Sequence, residues 1–101
     1  MSYNLLFLPS AWKEWGKLDT DLKAQFKAQL QRRLESPHVE SARIRGYTNH
    51  YKIKLKSAGY RLVYEVEEKK MTVYVICLGK RDTIYRILRK RKAKEESDRS
   101  S

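Results

Sequence analysis

The chain has 101 residues, of which 41% are hydrophobic, a formal net charge of +11 and one cysteine. This length fits a single domain that buries its own hydrophobic core. One cysteine excludes an intrachain disulfide framework, and two histidines are too few for a zinc site of clustered Cys and His ligands. No segment is long and apolar enough to span a membrane, and the N-terminus lacks the features of a signal peptide. We therefore expect a cytoplasmic protein that uses no metal and no cofactor.

The positive charge is concentrated in two segments. Residues 43–61 contain six cations and no acid, and residues 79–94 contain eight cations and one acid. Three tyrosines are interleaved with the cations of the first segment, and one tyrosine lies in the second. This pattern favours a nucleic-acid partner over two alternatives, a surface that is charged only for solubility and contact with an anionic membrane.

The chain begins with a short predicted strand at residues 2–8. Ser10 is a suitable N-cap for a first helix over residues 11–18. Trp12 and Trp15 lie three positions apart in that helix and therefore share a face. Both tryptophans are predicted to lie in the core.

A second helix is predicted to begin at Asp19 or Thr20, which are both good N-caps, and to end before Pro37. Its apolar residues recur every four positions and form one stripe: Leu22, Phe26, Leu30 and Leu34. The opposite face is basic and is predicted to be solvated, with contact to a polyanion as the less favoured alternative: Lys23, Lys27, Arg32 and Arg33. Residues 37–50 are then irregular, with a turn at Gly46.

Residues 52–56 and 60–66 alternate between apolar and polar side chains, which predicts the two strands of a β-hairpin. A two-residue turn at Ala58-Gly59 would pair Leu55 with Leu62. A loop with an odd number of residues would mix polar and apolar faces, so the pattern favours an even loop. The prediction places four cations on one face of the hairpin: Lys52, Lys54, Lys56 and Arg61.

A third strand of this region, residues 71–78, is apolar on both faces and is therefore placed centrally in the sheet. Strict alternation puts Val75 and Cys77 on one face, together with the apolar side of the hairpin. Leu78 falls on the other face. Gly79 is expected to end the strand.

Residues 82–94 are predicted to form a third helix, with Asp82 near its N-terminus. The helix has a short apolar stripe, which either docks on the sheet or awaits a partner: Ile84, Ile87 and Leu88. Residues 1–94 are predicted to form the domain, and the polar residues 95–101 a disordered tail.

Most catalytic templates are absent from the sequence, which has no phosphate-cradling glycine loop and no HExxH motif. Acids are scarce near the cations, which disfavours a Mg²⁺-dependent nuclease. Cys77 has apolar neighbours and is predicted to fill the core. His50 is a candidate acid or base, although a surface or loop role is commoner for such a residue.

A lysine–arginine site remains, and it has two interpretations. The cations either bind phosphates only, or promote attack of the 2′-OH of RNA on the adjacent phosphate. Crowding of like charges would lower the pKa of the lysines, so that a neutral lysine could accept a proton. Composition alone favours phosphate binding.

The segment SAGYRLVYEVEEKKMTVYVICLGKRD, residues 57–82, resembles the RelE family of bacterial toxins. The preceding YKIKL and the ESP at residues 35–37 fit the same pattern, and the resemblance runs from about residue 3 to residue 90. It implies an α+β fold in which two N-terminal helices pack on a four-stranded, mainly antiparallel sheet, followed by a C-terminal helix.

The resemblance also implies an activity and its partners. It implies a metal-free, ribosome-dependent endonuclease that cuts mRNA in the ribosomal A site and leaves a 2′,3′-cyclic phosphate and a 5′-OH. The implied partners are mRNA, the ribosome with its 16S rRNA, and a RelB-like antitoxin, with operator DNA contacted only through the antitoxin complex. The expected antitoxin site is the apolar side of the sheet together with the stripe at Ile84, Ile87 and Leu88.

Position by position, the resemblance assigns catalytic roles to five residues: Lys52, Lys54, Arg61, Arg81 and Tyr85. It casts Lys54 as the base or charge stabiliser, Arg81 as the acid and Arg61 as the phosphate ligand. The tyrosine of the family orients the substrate, and Tyr85 is the candidate here. Seven further cations of the basic segments are predicted to bind RNA: Arg43, Arg45, Lys56, Lys80, Arg86, Arg89 and Lys90.

Two alternatives remain open at the level of sequence. One is a non-catalytic module that binds RNA or the ribosome through the same cationic face. The other is a superfamily toxin with a different target, such as DNA gyrase. The GYRLVYEV and LGKRD stretches and the retained lysines argue against the second alternative.

Overall fold

The computed structural model of the chain describes residues 2–100, with side chains to Glu95. Three α-helices and four β-strands follow one another in the order β1 Asn4–Phe7, α1 Pro9–Gly16, α2 Thr20–Glu35, β2 His50–Leu55, β3 Tyr60–Glu67, β4 Thr72–Lys80 and α3 Ile84–Ser100. The strands form one sheet in the order β1-β4-β3-β2, in which only the β1–β4 pair is parallel. The predicted α+β fold with a mainly antiparallel sheet is confirmed. Within residues 2–100, no helix is both long and apolar enough to cross a membrane.

The two N-terminal helices begin in different ways. Helix α1 starts at Pro9, and its N-cap is Leu8, which makes no side-chain capping bond. The predicted Ser10 cap is therefore wrong, because proline lacks an N–H and its fixed φ suits the first helical position. Helix α2 is capped as predicted, since the Leu22 N–H donates to Asp19 Oδ1 at 2.8 Å.

Helices α1 and α2 pack on one face of the sheet. Trp15 and Phe26 are buried there against apolar side chains of all four strands. Trp12 is 59% exposed, so its predicted core position is wrong. The buried residues of this eight-residue helix are Ala11 and Trp15, which lie four positions apart and share a face. Trp12 lies beside that face and makes an edge-to-face ring contact with Phe7.

The β2–β3 hairpin has a longer loop than the sequence predicts. Ile53 is paired with Leu62 and Lys54 with Arg61, which leaves residues 56–59 as a four-residue loop. The predicted two-residue turn, with Leu55 opposite Leu62, is wrong by a slip of two residues. The predicted even loop and shared faces are confirmed, because a two-residue slip returns every side chain to the same face.

Strand β4 contains a β-bulge that strict alternation does not reveal. Val75 pairs with Tyr64 and Cys77 pairs with Val63, which leaves Ile76 without a partner. Cys77 therefore joins Ile76 in the core on the α3 side, and Leu78 joins the core under α1 and α2. The predicted faces of Cys77 and Leu78 are thus exchanged, because the extra residue of a bulge reverses the parity of the strand.

Gly79 continues β4 instead of ending it, and it pairs with Arg61. A Cβ atom at this position would lie 3.4 Å from Ile87 Cδ1 of α3. The absence of a side chain therefore allows α3 to approach the sheet closely.

Helix α3 docks on the second face of the sheet. Ile84 and Leu88 are fully buried against Val63, Ile76 and Cys77. The docking alternative is therefore the one observed. In this conformation the sheet covers Ile84 and Leu88, Ile87 is half-buried, and the antitoxin site stays a prediction.

An ion pair ties α3 to the rest of the domain. Arg91 Nη1 donates at 2.8 Å both to Glu14 Oε1 of α1 and to the Ile76 carbonyl oxygen, and the Leu78 N–H donates to Glu14 at 3.0 Å. The hydrogen bonds to Glu14 raise the pKa of Arg91 above its ordinary value. Helix α1, strand β4 and helix α3 are therefore joined at one point.

The ends of α3 differ from the predicted ones. The helix begins at Ile84 rather than at Asp82, and it continues to Ser100, so residues 95–100 of the predicted disordered tail are helical. Ser101, the last residue of that tail, lies outside the described residues.

Replacing Leu88 with Ala is expected to lower the free energy of unfolding by about 2–5 kcal/mol, because the substitution leaves a cavity under α3. Leu6→Ala is the matched control, since Leu6 is 50% exposed and should change the value by less than about 1 kcal/mol. Urea denaturation of the three proteins measures the difference. Equal losses in both variants would contradict the observed docking of α3.

Candidate active site

A cleft at the loop end of the β2–β3 hairpin brings together four of the predicted site cations. Its volume is about 240 Å³, and its lining includes Lys54, Lys56, Arg61 and Arg81. Lys54 and Arg61 are neighbours because the β2–β3 register makes them a cross-strand pair on the face predicted to be cationic. The cleft therefore concentrates positive charge where an anionic group can be held from several sides.

Strand β4 continues to Lys80, two residues beyond its predicted end, and this brings Arg81 to the cleft. Its backbone N–H donates to the Gly59 carbonyl oxygen at 2.9 Å, which fixes the residue beside the hairpin loop. Gly59 has φ +66°, a left-handed conformation that favours glycine. The Arg81 side chain is 68% exposed and lies 3.8 Å from the Asp82 carboxylate. A ligand therefore meets the Arg81 guanidinium directly from solvent.

Tyr85 enters the site from the first turn of α3. Its hydroxyl accepts a hydrogen bond of 2.9 Å from Arg61 Nη1, and the guanidinium carbon lies 5.7 Å from the centre of the tyrosine ring. Tyr85 therefore orients Arg61 and brings a hydroxyl to the same cationic face. The predicted association of this tyrosine with the lysine–arginine site is present in the geometry.

Lys52, the remaining predicted catalytic residue, lines a neighbouring cleft of about 280 Å³. It shares this second cleft with Lys54, which therefore borders both spaces. Arg33 and Gln29 of α2 line the other side of the second cleft. Arg33 belongs to the face of α2 that was predicted to be solvated. No sequence signal identified its position, because it depends on how α2 packs across the edge of the sheet.

The other predicted RNA-binding residues line a separate depression or are exposed on β4 and α3. Arg43 and Arg45 line a broad depression of about 600 Å³ formed by residues 43–48. Lys56 lies in the cleft already described, and four further cations are exposed at the end of β4 and along α3: Lys80, Arg86, Arg89 and Lys90. All seven predicted RNA-binding cations are therefore exposed to solvent.

His50 lies outside the candidate site. It is only 2% exposed, its Nδ1–H donates to the Thr48 carbonyl oxygen at 2.8 Å, and its Nε2 lies 3.8 Å from Glu65 Oε1. Burial lowers the pKa of this histidine. The surface or loop position favoured by sequence is wrong, because His50 is a buried residue of β2.

Cys77 is a core residue, as predicted. The side chain is fully buried, and burial raises the pKa of its thiol to about 12. At neutral pH the group is a thiol and not a nucleophilic thiolate. Among the side chains of residues 2–95, no three from His, Cys, Asp or Glu are grouped so as to hold a metal ion.

Comparison with protein families gives a match over most of the chain. Residues 5–85 match the model of the ParE toxin of the type II toxin–antitoxin system parDE. The mRNA interferase toxin RelE of Escherichia coli K12 is 49% identical over 82 residues, which cover 81% of this chain and 86% of that protein. This chain belongs to the RelE family of type II toxins. The mRNA interferase RelE of Shigella flexneri shows the same identity and coverage.

Solved structures of the RelE family have the same fold. The toxin in the intact E. coli RelBE toxin–antitoxin complex is 48% identical and superposes with a TM-score of 0.77, covering 78% of this chain and 96% of that chain. An isolated E. coli RelE toxin gives the same TM-score at 43% identity, over 85% of this chain and 99% of that chain. The resemblance inferred from sequence is therefore confirmed at the level of family and fold.

The environment of His50 predicts a pH dependence of stability. Its pKa is lowered in the folded protein, so between that value and the ordinary value of about 6.5 the unfolded chain binds more protons. Stability should therefore be full above about pH 6.5 and should fall as the pH drops below it. Glu65, Lys92 and Glu95 also act on this titration, and burial outweighs them.

The measurement is urea denaturation at several pH values between about 7.5 and 5. The variant His50→Gln should show a flatter dependence over that range, because it lacks the buried imidazole that binds a proton on unfolding. Identical slopes for the original protein and the variant would contradict the assignment of this pH dependence to His50.

Proposed function

We propose that this chain is the toxin of a type II toxin–antitoxin system and an endoribonuclease that cleaves mRNA in the ribosomal A site. The observation that carries the proposal is one cleft lined by Lys54, Arg61 and Arg81, with the Tyr85 hydroxyl bonded to Arg61. The 49% identity to proteins named as mRNA interferases RelE supports the substrate class.

The proposed reaction uses the nucleophile that RNA itself carries. The 2′-OH attacks the adjacent phosphorus, the bond to the 5′-oxygen of the next nucleotide breaks, and a 2′,3′-cyclic phosphate and a 5′-OH form. The protein must hold the two oxygens in line, accept the proton of the 2′-OH, neutralise charge on the phosphorane-like transition state and protonate the leaving oxygen.

The proposed roles follow the position of each side chain. Lys52 and Lys54 lie on the strand that borders the cleft, where they stabilise the attacking oxygen and take up its proton. Arg61 has five N–H donors, one of which is used on Tyr85, and it binds the scissile phosphate through the others. Arg81 follows the end of β4, and its backbone is fixed at Gly59; from there its side chain approaches the leaving oxygen. Tyr85 positions Arg61 and the substrate.

The proposed mechanism is metal-free. In many nucleases a metal ion neutralises the negative charge of the transition state. In this cleft the lysine and arginine side chains take that role. These cations hold the transition-state charge through charge-assisted hydrogen bonds, which are stronger than neutral ones.

Dependence on the ribosome follows from the weakness of the base. The site contains no histidine, so precise orientation of the 2′-OH must supply much of the acceleration, and a bound ribosome would supply that orientation. The net charge of +11 and the exposed cations beyond the cleft suit contact with 16S rRNA. The site of action is then the cytoplasm.

A RelB-like antitoxin is the proposed protein partner. The support is the likeness to RelE in the intact E. coli RelBE toxin–antitoxin complex. Contact with operator DNA is proposed only through the complex of toxin and antitoxin.

The test is to add the protein to ribosomes programmed with a defined mRNA and to map the new 5′ ends. Cleavage is expected within the A-site codon, unchanged by a chelator of divalent ions applied to the toxin. Lys54→Ala and Arg81→Ala should each lower the rate by about a hundredfold or more, because each removes a cation that acts on the transition state. Lys69→Ala is the matched control, since Lys69 is exposed in the turn between β3 and β4.

Three outcomes would contradict parts of this proposal. The absence of any A-site cut would overturn the activity. Cleavage that is unchanged in both cleft variants would overturn the assignment of residues. Rapid cleavage of free RNA at physiological salt would overturn the dependence on the ribosome.

A further inference from the structure

The second cleft, beside the candidate active site, has the composition of an anion-binding site. It lies at the outer edge of β2 and is lined by Gln29 and Arg33 of α2, by Ser41 and Ala42 of the connecting segment, and by Lys52, Ile53 and Lys54 of β2. Three of these residues are cations, two carry neutral hydrogen-bonding groups and none is acidic. A peptide partner would require apolar anchors, which this lining largely lacks.

Arg33 is held in place before any ligand arrives. Its Nη1 donates to the Tyr64 hydroxyl at 2.9 Å, and its guanidinium lies 5.7 Å from the centre of the Tyr64 ring. Tyr64 is fully buried, and its hydroxyl donates in turn to the Pro37 carbonyl oxygen at 2.7 Å. A guanidinium anchored in this way loses little conformational freedom when its remaining N–H groups bind a phosphate.

The second cleft is continuous with the candidate active site through Lys54, which lines both. Lys52 and Lys54 point to the same face of β2 and stand about 7 Å apart along the strand. An extended RNA strand whose scissile phosphate lies at Arg61 would therefore place a neighbouring phosphate near Lys52 and Arg33.

We propose that Arg33, assisted by Gln29 and Ser41, forms a binding subsite for the phosphate of the RNA strand next to the scissile one, and that Lys52 and Lys54, which keep their proposed catalytic roles, line its boundary with the candidate active site. Arg33 provides the anchored contact of this subsite. The inference rests on the proposed function, since it extends the same substrate beyond the bond that is cut.

The first experiment measures binding alone and therefore needs neither cleavage nor ribosomes. A short single-stranded RNA with 2′-fluoro sugars, which lacks the attacking hydroxyl, is titrated at several salt concentrations. Arg33→Gln is expected to weaken binding about tenfold and to reduce the salt slope by about 0.7, the value for one lost phosphate contact on a single strand. Arg32→Gln is the matched control, because this neighbouring arginine on α2 is exposed, does not line the cleft and carries the same charge.

Two further measurements separate a specific contact from general loss of charge or of folding. Arg33→Lys keeps the charge without the planar fork and should fall between the original protein and Arg33→Gln. In the unsubstituted protein, the NMR signals of Arg33 Nε–Hε and of the Gln29 side-chain amide should shift at the same RNA ratios as those of Arg61.

The outcomes are distinguishable from those of the proposed function. Equal effects of Arg33→Gln and Arg32→Gln, or unshifted Arg33 and Gln29 signals on RNA binding, would overturn the subsite. Weakened binding of an antitoxin by Arg33→Gln, with RNA binding unchanged, would assign the cleft to the antitoxin and also overturn it. If Arg33→Gln weakens RNA binding but the unsubstituted protein cuts no mRNA, the proposed subsite stands and the proposed nuclease activity is overturned.

Discussion

The register of the β2–β3 hairpin is the constraint on which the candidate site depends. It places Lys54 of β2 directly opposite Arg61 of β3, and the separate register of β3 with β4 places Arg61 opposite Gly79. A slip of two residues would keep the same faces buried but would move Lys54 away from Arg61. The apolar core therefore selects the faces, whereas the four-residue loop at residues 56–59 selects which cations meet. The Gly59 carbonyl oxygen in that loop also holds the backbone of Arg81. The loop contains Lys56 as well, so it helps to position all four cations of the cleft.

The second support of the site is the docking of α3. Strand β4 continues through Gly79, whose lack of a side chain admits Ile87, and Ile84 and Leu88 then bury the start of the helix against the sheet. This docking delivers the Tyr85 hydroxyl to Arg61. The order of Arg61 is therefore coupled to the packing of a helix that is itself tied to α1 through Arg91 and Glu14. A partner that displaced α3 would remove the hydrogen bond that orients Arg61.

Much of this arrangement follows from the sequence, and the exceptions share a physical cause. Period-two alternation predicted the faces of the hairpin, and the spacing of Phe26 and Leu30 predicted the buried stripe of α2, because burial acts on every residue of a pattern. The two-residue slip of the hairpin was missed because such a slip leaves the alternation of faces unchanged. The bulge at Ile76 was missed because alternation assumes a strand without bulges. Trp12 and Arg33 were misassigned for a related reason. Their environments depend on how α1 and α2 cross the sheet, and the periodicity of each helix carries no information about that crossing.

The most direct test of the central claim is the hairpin register in solution, measured by cross-strand nuclear Overhauser effects in isotope-labelled protein. The register described above predicts backbone contacts between Ile53 and Leu62 and between Lys54 and Arg61. Contacts of Leu62 with Leu55, and of Arg61 with Lys56, would show the tighter register with a two-residue turn. That result would separate Lys54 from Arg61 and contradict the site described above.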